Sequence, residues 1–409
     1  MVSMKRRTPY IKIWQDLAID KSMIFLVGPR QAGKTTLAQI ISGSFANSLY
    51  FNWDIAEHRA NFIQNPLFFE ALERHDASTP LVVFDEIHKY RDWKNYLKGI
   101  YDQFHDKYRF LVSGSGRLDL YQKGGDSLAG RYFLFHLWPF TISELGKRRR
   151  DIGPFLSDPL QMTMENINEL KEIWSALAEL SGFPEPYLAA RKTTYRRWSN
   201  IYSQQLIRED IRDLTGVKSV VDMETLYILL PSKVGSPISV SSLAHDLKVS
   251  YNSVRSWLSV FERFFLTFSI GPWTRRIARA IQKERKVYLW DSPRIKEPAA
   301  RFENMVALEL FRAVTAWNDT GHGTFSLHFI KNKEQQEVDF VIANEGEPLF
   351  LIEAKLSDID PSPALKKFQG VLKKPAIQLV EDSKGHYVIP NGDQYILVAP
   401  AYQWLSGLP

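Results

Sequence analysis

The sequence predicts an α/β protein of several domains that opens with a parallel sheet covered by helices on both faces. Three observations indicate this class. Short, almost wholly apolar runs alternate with helical runs up to about residue 150. From about residue 155 the pattern becomes amphipathic and helical, and strand patterns dominate again after residue 285. We therefore predict four domains, at residues 1–150, 151–217, 218–285 and 286–409.

The first domain contains the candidate parallel strands. Each is a short apolar run, and most end in a glycine or an acidic or hydroxyl side chain: "MIFLVG", "SLYFNWD", "PLVVFDEIHK" and "YRFLVSGSG". Helical patterns such as "KTTLAQIISGSF" and "DWKNYLKGIYDQF" fall between them. This alternation predicts buried parallel strands joined by helices.

The following segments predict a helical lid, a DNA-binding motif and a second α/β domain. Residues 151–217 carry only amphipathic helical patterns. In "ISVSSLAHDLKVSYNSVRSWLSVFERFFL", two capped helices with a turn predict a helix-turn-helix of the winged type, with Arg255 and Trp257 near the start of the second helix. The alternative is a helical bundle that only packs domains together. Residues 286–409 predict a helix followed by strands "FSLHFIKN", "EVDFVIAN" and "PLFLIEAKL".

Composition narrows the class of function. The chain has no cysteine, which excludes disulfide scaffolds, thiol catalysis and cysteine-ligated metals. No apolar run approaches the roughly 20 residues that span a bilayer, and the basic N-terminus lacks a signal-peptide core, so we expect a cytoplasmic protein. The net charge is +6, and basic clusters "KRRR", "RKTTYRR" and "RRIARAIQKERK" are interleaved with Tyr195, Trp198 and Trp257. This pattern predicts contact with nucleic acid, with DNA preferred.

The segment "GPRQAGKT" matches the phosphate-binding pattern G-x-x-x-x-G-K-[ST] of a P-loop. It follows a predicted strand and opens a helix, where backbone N–H groups can surround a nucleotide's phosphates. Lys34 would then reach the β and γ oxygens, and Thr35 would bind Mg²⁺. The residues expected to bind ATP in this segment are Gly28, Pro29, Gln31, Ala32, Gly33, Lys34, Thr35 and Thr36.

A second apolar strand ends in the adjacent carboxylates Asp85 and Glu86, which are costly to bury unless a cation or ligand compensates them. We expect Asp85 to hold Mg²⁺ through water and Glu86 to act as the general base on the attacking water. Ser113 or Ser115, at the tip of the next strand, would sense the γ-phosphate. Residues 85–88 also spell the helicase pattern D-E-x-H. No second motor domain with its own arginine motif follows, so we predict an ATPase and not a helicase.

An arginine from a neighbouring subunit commonly completes such a site. Arg131, which follows a flexible glycine segment in "SLAGR", is the first candidate, and Arg30 and Arg208 are the alternatives. Each of them could instead be a solvated or ion-paired surface residue.

A second constellation lies near the end of the chain. Asp339 in "EVDFVIA" could face Glu353 across a hairpin, Lys355 shares a strand face with Glu353, and Glu303 on the preceding helix could join them. Clustered carboxylates bind Mg²⁺ or Mn²⁺, and Lys355 would orient or activate a water that attacks phosphorus. The alternative is a simple ion pair between Glu353 and Lys355.

Taken with these residues, the chain resembles prokaryotic AAA-type (AAA+) ATPases that carry a C-terminal restriction-endonuclease-like domain. The segments that carry the resemblance are "GPRQAGKTTL", "LVVFDEIHK", "SLAGRYFLFHLWPFTISEL", "GFPEPYL", "RFENMVALEL", "EVDFVIA" and "LIEAK". The resemblance implies an AAA+ core with a winged-helix segment and a PD-(D/E)xK nuclease-like fold behind it. It also implies a hexameric ring, Arg131 as the arginine finger, and Asp339, Glu353 and Lys355 as nuclease residues.

Three functional hypotheses follow. The leading one is an ATP-hydrolysing, DNA-processing enzyme in which the ATPase controls a metal-dependent phosphodiesterase. The second is a regulatory ATPase switch whose nuclease-like domain is catalytically silent and binds nucleic acid or a protein partner. The third is a winged-helix DNA binder that uses ATP to control its occupancy of duplex DNA.

Overall fold

The computed structural model describes residues 7–114, 128–162, 166–211, 219–274, 284–357, 359–381, 383 and 385–409, without the side chains of residues 209 and 210. The chain forms two compact units. The first unit is Met1–Pro139 with Arg263–Phe265, and the second is Phe140–Glu262 with Leu266–Pro409. The finer division into four domains stays a prediction.

The described residues of the first unit form one parallel sheet and the helices that cover it. The strands are β1 (Met23–Val27), β2 (Ser48–Asn52), β3 (Leu81–Asp85), β4 (Arg109–Ser113) and β5 (Phe133–His136). The α-helices are α1 (Thr8–Asp20), α2 (Lys34–Ser42), α3 (Ala56–Gln64) and α4 (Trp93–Phe104), with 3₁₀ turns at Phe68–Ala71 and Ile87–Lys89. The strand order is β2-β3-β4-β1-β5, and every pairing is parallel.

Both faces of this sheet are buried, which explains why its strands read as continuous apolar runs. One face packs against α1 and α2 through side chains such as Trp14, Leu37 and Ile41. The opposite face is rich in phenylalanine and packs against α3 and α4. The prediction of a doubly covered parallel sheet is therefore confirmed.

In the second unit, the described residues between Phe140 and Glu262 are helical apart from connecting turns. The helices are α5 (Ile142–Gly146), α6 (Ile152–Ser157), α7 (Ile167–Leu180), α8 (Pro184–Ala189), α9 (Lys192–Gln205), α10 (Val220–Leu229), α11 (Val240–Leu247) and α12 (Tyr251–Arg263, whose last residue belongs to the first unit). A π-helical turn at Leu206–Ile211 extends α9, and a 3₁₀ turn at Leu230–Lys233 follows α10.

The remainder of the second unit is built on one mixed sheet. Its strands are β6 (Thr267–Pro272), β7 (Lys286–Leu289), β8 (Phe325–Lys331), β9 (Glu337–Asn344), β10 (Glu347–Lys355), β11 (Ala376–Val380), β12 (Tyr387–Asn391) and β13 (Gln394–Pro400). The helices here are α13 (Pro298–Asp319), α14 (Pro363–Leu372) and α15 (Ala401–Ser406), with a 3₁₀ turn at Ser292–Arg294. The strand order is β12-β13-β11-β10-β9-β8-β6-β7.

Strand direction changes along this sheet. The β8–β9–β10 meander is antiparallel, whereas β10, β11 and β13 run parallel to one another. Helix α14 covers one face through Leu365 and Phe368, which pack on Val338, Leu351 and Ile396. Across the parts of the chain that the structure describes, no helix has both the length and the apolar character needed to cross a membrane.

Candidate nucleotide site and acidic cluster

The phosphate-binding loop leaves β1 at Val27 and enters α2 at Lys34. Gly28 has a φ of 146°, and a Cβ added there would lie 2.2 Å from the carbonyl oxygen of Leu137. Gly33 has a φ of 96°, which is also left-handed backbone. Glycine is needed at both positions because a side chain would be strained or would collide with neighbouring backbone. The loop therefore has the backbone conformation that its sequence pattern predicts.

Lys34 is buried inside this loop. Its Nζ donates hydrogen bonds to the carbonyl oxygens of Gly28 at 3.0 Å and Pro29 at 2.7 Å. Burial lowers the pKa of Lys34 to about 8, and the carboxylates of Glu86 and Asp85 oppose that shift. Burial disfavours the charged form of Lys34. A phosphate group beside it would supply a negative charge that stabilises the ammonium.

Asp85 lies at the end of β3 and gathers three polar groups. Thr35 Oγ1 and Tyr50 Oη each donate to Asp85 Oδ2 at 2.7 Å, and Asn52 Nδ2 lies 3.4 Å from the same oxygen. Strand pairing sets Asp85 opposite Ser113 of β4, because β4 lies between β3 and β1. Sequence reasoning identified Thr35, Asp85 and Ser113 but missed Tyr50, which sits on the neighbouring strand β2.

Two buried oxygens at this edge of the sheet, Asp85 Oδ1 and Ser113 Oγ, have no hydrogen-bond partner among the described residues. A buried polar atom without a partner costs free energy, so such atoms commonly mark the place of a ligand or ion. They lie on adjacent strand ends, near Thr35 in the first turn of α2. The residues therefore fit Mg²⁺ bound with a nucleotide, with Thr35 and Asp85 as the groups that would hold the ion.

Glu86 adopts left-handed backbone with a φ of 57°, and its N–H donates to the carbonyl oxygen of Ser113 at 2.8 Å. Its Oε2 lies 3.4 Å from Lys89 Nζ, which in turn contacts both carboxylate oxygens of Asp54 at 2.7 Å. Burial raises the pKa of Glu86, and Lys89 opposes the shift. The expected general base is thus ion-paired with a lysine that the sequence did not single out.

The candidate arginine fingers are placed in different surroundings. Arg131 makes a bidentate ion pair with Asp102 of its own unit, at 2.6 and 3.1 Å. Arg208 makes a similar pair with Glu224 at 2.5 and 3.0 Å. Arg30 is an exposed residue of the phosphate-binding loop itself. Ser115, the alternative γ-phosphate sensor, lies outside the described residues.

In the second unit, the structure brings Asp339 and Glu353 onto the adjacent antiparallel strands β9 and β10. Asp339 Oδ2 accepts a hydrogen bond from the N–H of Ala354 at 3.0 Å. Glu353 Oε1 pairs with Lys355 Nζ at 2.9 Å, and Glu353 Oε2 is buried without a hydrogen-bond partner in the described part of the chain. Burial, followed by the charge of Asp339, raises the pKa of Glu353 to about 7.

Lys286, the first residue of β7, is the central cation of this region. Its Nζ lies 2.6 Å from Glu337, 3.1 Å from Glu303 and 3.6 Å from Asp339, and its side chain is only 1% exposed. Tyr288 Oη also donates to Glu303 at 2.8 Å. We call the carboxylates of Glu303, Glu337, Asp339 and Glu353 the acidic cluster. Glu337 was not identified from the sequence, and Lys286 was predicted only as the last residue of the basic cluster "RRIARAIQKERK", whereas the structure buries it among these carboxylates.

The structure places the ammonium of Lys286 among the predicted metal ligands, within 3.6 Å of Glu303 and Asp339, and the metal site stays a prediction. Among the described residues, no group of three or more histidine, cysteine, aspartate or glutamate side chains is placed to hold a metal ion. The physical reason is the ammonium of Lys286, which supplies the positive charge between Glu303 and Asp339. Burial and the charge of Asp339 raise the pKa of Glu303 to about 7.

The aromatic residues that interleave the basic clusters belong to the protein core. Tyr195, Trp198 and Trp257 are 8%, 5% and 6% exposed, so these rings are not presented to a nucleic acid. Amphipathic helices explain this result, because the aromatic residues occupy the buried face and the basic residues the opposite face. The "RKTTYRR" segment keeps four exposed cations: Arg191, Lys192, Arg196 and Arg197. Residues 275–283 of the third cluster lie outside the described residues.

Comparison with protein families divides the chain into three matched regions. Residues 20–146 match the family described as AAA domain. Residues 171–293 match a domain of unknown function, DUF8612, and residues 299–402 match another, DUF4143. The AAA match contains the whole nucleotide site described above.

Among curated proteins, the chain is 23% identical over 341 residues to the uncharacterized protein Rv2008c of Mycobacterium tuberculosis, covering 80% of this chain and 68% of that protein. It is 25% identical over 301 residues to the uncharacterized protein MJ1637 of Methanocaldococcus jannaschii, covering 65% of this chain and 60% of that protein.

Two solved structures are also similar. One is the Aeropyrum pernix ORC1 protein in complex with DNA, with a TM-score of 0.35, 13% identity, and coverage of 75% of this chain and 94% of that chain. The other is the Walker-type ATPase paby2304 of Pyrococcus abyssi, with a TM-score of 0.44, 14% identity, and coverage of 71% and 95%. Together with the geometry of the phosphate-binding loop, the family match identifies residues 20–146 as an AAA-type ATPase domain.

Proposed function

We propose that this protein is an ATP-driven switch that acts on nucleic acid, in which binding and hydrolysis of Mg²⁺-ATP by the first unit change the activity of the second. The observation that carries the ATPase half is the pair of buried, unpartnered oxygens on Asp85 and Ser113 beside Thr35. These atoms stand at the carboxyl edge of a parallel sheet, next to a helix N-terminus that attracts phosphate.

Each residue of the nucleotide site has a distinct role in this proposal. Lys34 leaves the carbonyl oxygens of Gly28 and Pro29 to bind the β and γ oxygens, and Thr35 and Asp85 hold Mg²⁺. The bound ion supplies charge stabilisation for phosphoryl transfer. Glu86 accepts the proton of the attacking water once it is freed from Lys89. Ser113 Oγ donates to the γ-phosphate. A second chain contributes Arg131 in a ring, which we propose to be a hexamer.

The nucleic-acid half of the proposal is supported by the order of helices and strands in the second unit, which we interpret as a winged helix. Helices α10, α11 and α12 are followed by the antiparallel pair β6–β7, and an isolated bridge joins Pro237, before α11, to Lys286 of β7. Helix α12 buries Val254, Trp257, Val260 and Phe261. Its opposite face exposes polar side chains that could lie in a DNA groove: Tyr251, Asn252, Arg255, Ser256 and Ser259.

The test measures ATP turnover and retention of labelled duplex DNA by the full chain, with and without ATP. We expect Lys34→Ala to abolish turnover and to remove any effect of ATP on DNA retention. Arg255→Ala should weaken DNA retention while leaving ATP turnover intact, and the exposed Lys12 of α1 provides the matched control, Lys12→Ala. Retention that is absent, or equal in wild type and Arg255→Ala, would contradict the DNA-binding role of α12.

A second candidate function is a metal-dependent DNA phosphodiesterase in the second unit. It is favoured by the Asp339, Glu353 and Lys355 arrangement, and in particular by the buried, unpartnered Glu353 Oε2. Labelled single- and double-stranded DNA with Mg²⁺ or Mn²⁺ tests it. Scission that disappears in Lys355→Ala would establish the nuclease. No scission under any condition, with ATP turnover intact, would leave the nuclease-like fold as a binding module.

A further inference from the structure

We propose that Lys286 is the resident cation of the acidic cluster and that the cluster binds a divalent metal ion only after this ammonium is removed. The inference opposes the second candidate function, because a cluster that keeps Lys286 holds no catalytic metal ion, and it does not depend on ATP hydrolysis. In this proposal Lys286 of β7 occupies the position that a metal ion would take among the carboxylates of α13 and β9.

The contacts of Lys286 have the character of an enclosed ion site. Its ammonium meets Glu303 from α13 and Glu337 and Asp339 from β9, within 3.6 Å of each. The Nζ atom of Lys286 lies over the ring of Phe329, 5.6 Å from the ring centre, and the side chain is shielded from water. An ammonium held by several carboxylates in this way satisfies both its charge and its N–H donors.

The charge balance makes the lysine necessary. The other two lysines that pair with the cluster, Lys331 and Lys355, are 31% and 37% exposed and each contacts a single carboxylate of it. Without Lys286 the partly buried side chains of Glu303 and Asp339 would have no ion-pair partner among the described residues. Buried carboxylates in that state either take up protons or bind a hard cation, for which oxygen ligands are preferred.

A separate observation points to divalent metal as the replacement. Glu353 Oε2 is buried with no hydrogen-bond partner among the residues that the structure describes, and the charge of Asp339 acts on this carboxylate. That oxygen can serve as a metal ligand, and the ammonium of Lys286 does not contact it. A metal ion needs more ligands than an ammonium and would recruit it together with Asp339.

The experiment titrates the full chain with Mn²⁺ alone, without nucleotide, and counts bound ions by electron paramagnetic resonance. All proteins carry Asp85→Asn so that the nucleotide site does not contribute. We expect Lys286→Met to gain one Mn²⁺ per chain and a Mn²⁺-dependent rise in Tm, both of which are lost on adding Asp339→Asn. The matched control is Lys331→Met. Lys331 also pairs with Glu337 but lies outside the centre of the cluster, so this variant should gain no Mn²⁺ site.

Two results would overturn the proposal. One is a Mn²⁺ site already present with Lys286 in place and removed by Asp339→Asn. The other is folded Lys286→Met protein that binds no metal. If Lys286→Met does not fold, the charge-balanced Lys286→Met/Glu337→Gln variant is read by the same criteria. Failure of both variants to fold even with Mn²⁺ also counts against it. Turnover of ATP by the wild type is measured separately, so failure of this proposal is distinguishable from failure of the ATPase.

Discussion

Thr35 and Asp85 are joined by a hydrogen bond of 2.7 Å between Oγ1 and Oδ2, although fifty residues separate them in the chain. The contact exists because the helix that follows β1 begins at the same sheet edge at which β3 ends. Asp85 is completely buried, and its Oδ2 is occupied by hydrogen bonds within the protein. Its Oδ1 has no hydrogen-bond partner among the described residues and would be the oxygen that faces a bound nucleotide and its ion.

Asp85→Asn should reduce ATP hydrolysis by about a hundredfold or more, because the amide keeps the shape of the side chain but loses the charge that holds Mg²⁺. Steady-state phosphate release at saturating Mg²⁺-ATP measures this. The matched control is Asp16→Asn on the exposed face of α1, which should hydrolyse ATP as the wild type does. Equal activity in Asp85→Asn and wild type would remove Asp85 from the site.

Gly28→Ala should destabilise the first unit by about 2 kcal/mol or more, since the added Cβ would meet the backbone of Leu137 in an unfavourable conformation. Gly99→Ala is the contrasting change. Gly99 lies inside α4 with open space around the added atom, so alanine should stabilise the helix by about 0.5–1 kcal/mol. Urea denaturation of both variants measures the two effects, and shifts of the same sign would contradict the structural explanation.

Arg131→Ala should lower ATP turnover strongly if Arg131 acts on the nucleotide of a neighbouring chain, where such arginines contribute about a thousandfold or more. Its ion pair with Asp102 allows a strict comparison, because Asp102→Asn breaks the same pair and leaves the arginine in place. We expect only the arginine substitution to abolish turnover. Equal effects of the two variants would mean that Arg131 serves the ion pair and is not a finger.

The buried Glu309 should make stability depend on pH. Burial raises its pKa to about 7 even though Arg312 pairs with it at 3.1 Å. Between the ordinary value of 4.5 and about 7, the folded chain therefore binds more protons than the unfolded chain. The free energy of unfolding should fall as pH rises through this window, by up to about 3 kcal/mol from this group.

Glu309→Gln removes the titrating group but keeps an acceptor for the N–H of Ile142 and for Arg312. Urea midpoints at pH 5, 6, 7 and 8 should therefore fall less steeply in this variant than in the wild type. The substitution also changes the absolute stability of the protein, so the slopes of the urea midpoint against pH are compared. Parallel pH profiles would show that Glu309 is ionised throughout.

The parallel sheet and the phosphate-binding loop were predictable because their signals are local. Residues 23–28 show an apolar strand and glycine in direct succession, and the lysine and threonine follow at fixed spacing. The edge of the sheet was predictable for a related reason. Strands that run parallel end on the same side, so Asp85 and Ser113 were predictable at the same edge, and the structure pairs them on adjacent strands.

Lys286 could not be predicted in its actual role, because nothing in its own neighbourhood marks it as buried. Its environment is made by α13 and β9, which lie 17 to 53 residues further along the chain. The same limitation affects Trp257. A tryptophan beside an arginine suggests nucleic-acid contact, yet the helical period turns the ring inward and leaves Arg255 outside. Tyr50 and Lys89 were missed because their partners come from neighbouring strands and turns.

The eight-stranded sheet constrains how this protein can be divided for experiment or rearranged during evolution. Strand β6 pairs with β8 through Gly271–Pro272 and with β7 on its other side. A fragment that begins at α13 would lack β6 and β7. Strand β8 would then present unpaired backbone amides and carbonyls to solvent. Exposed edges of this kind invite self-association. Any recombination that keeps a well-behaved C-terminal half must therefore transfer strands β6 and β7 along with it.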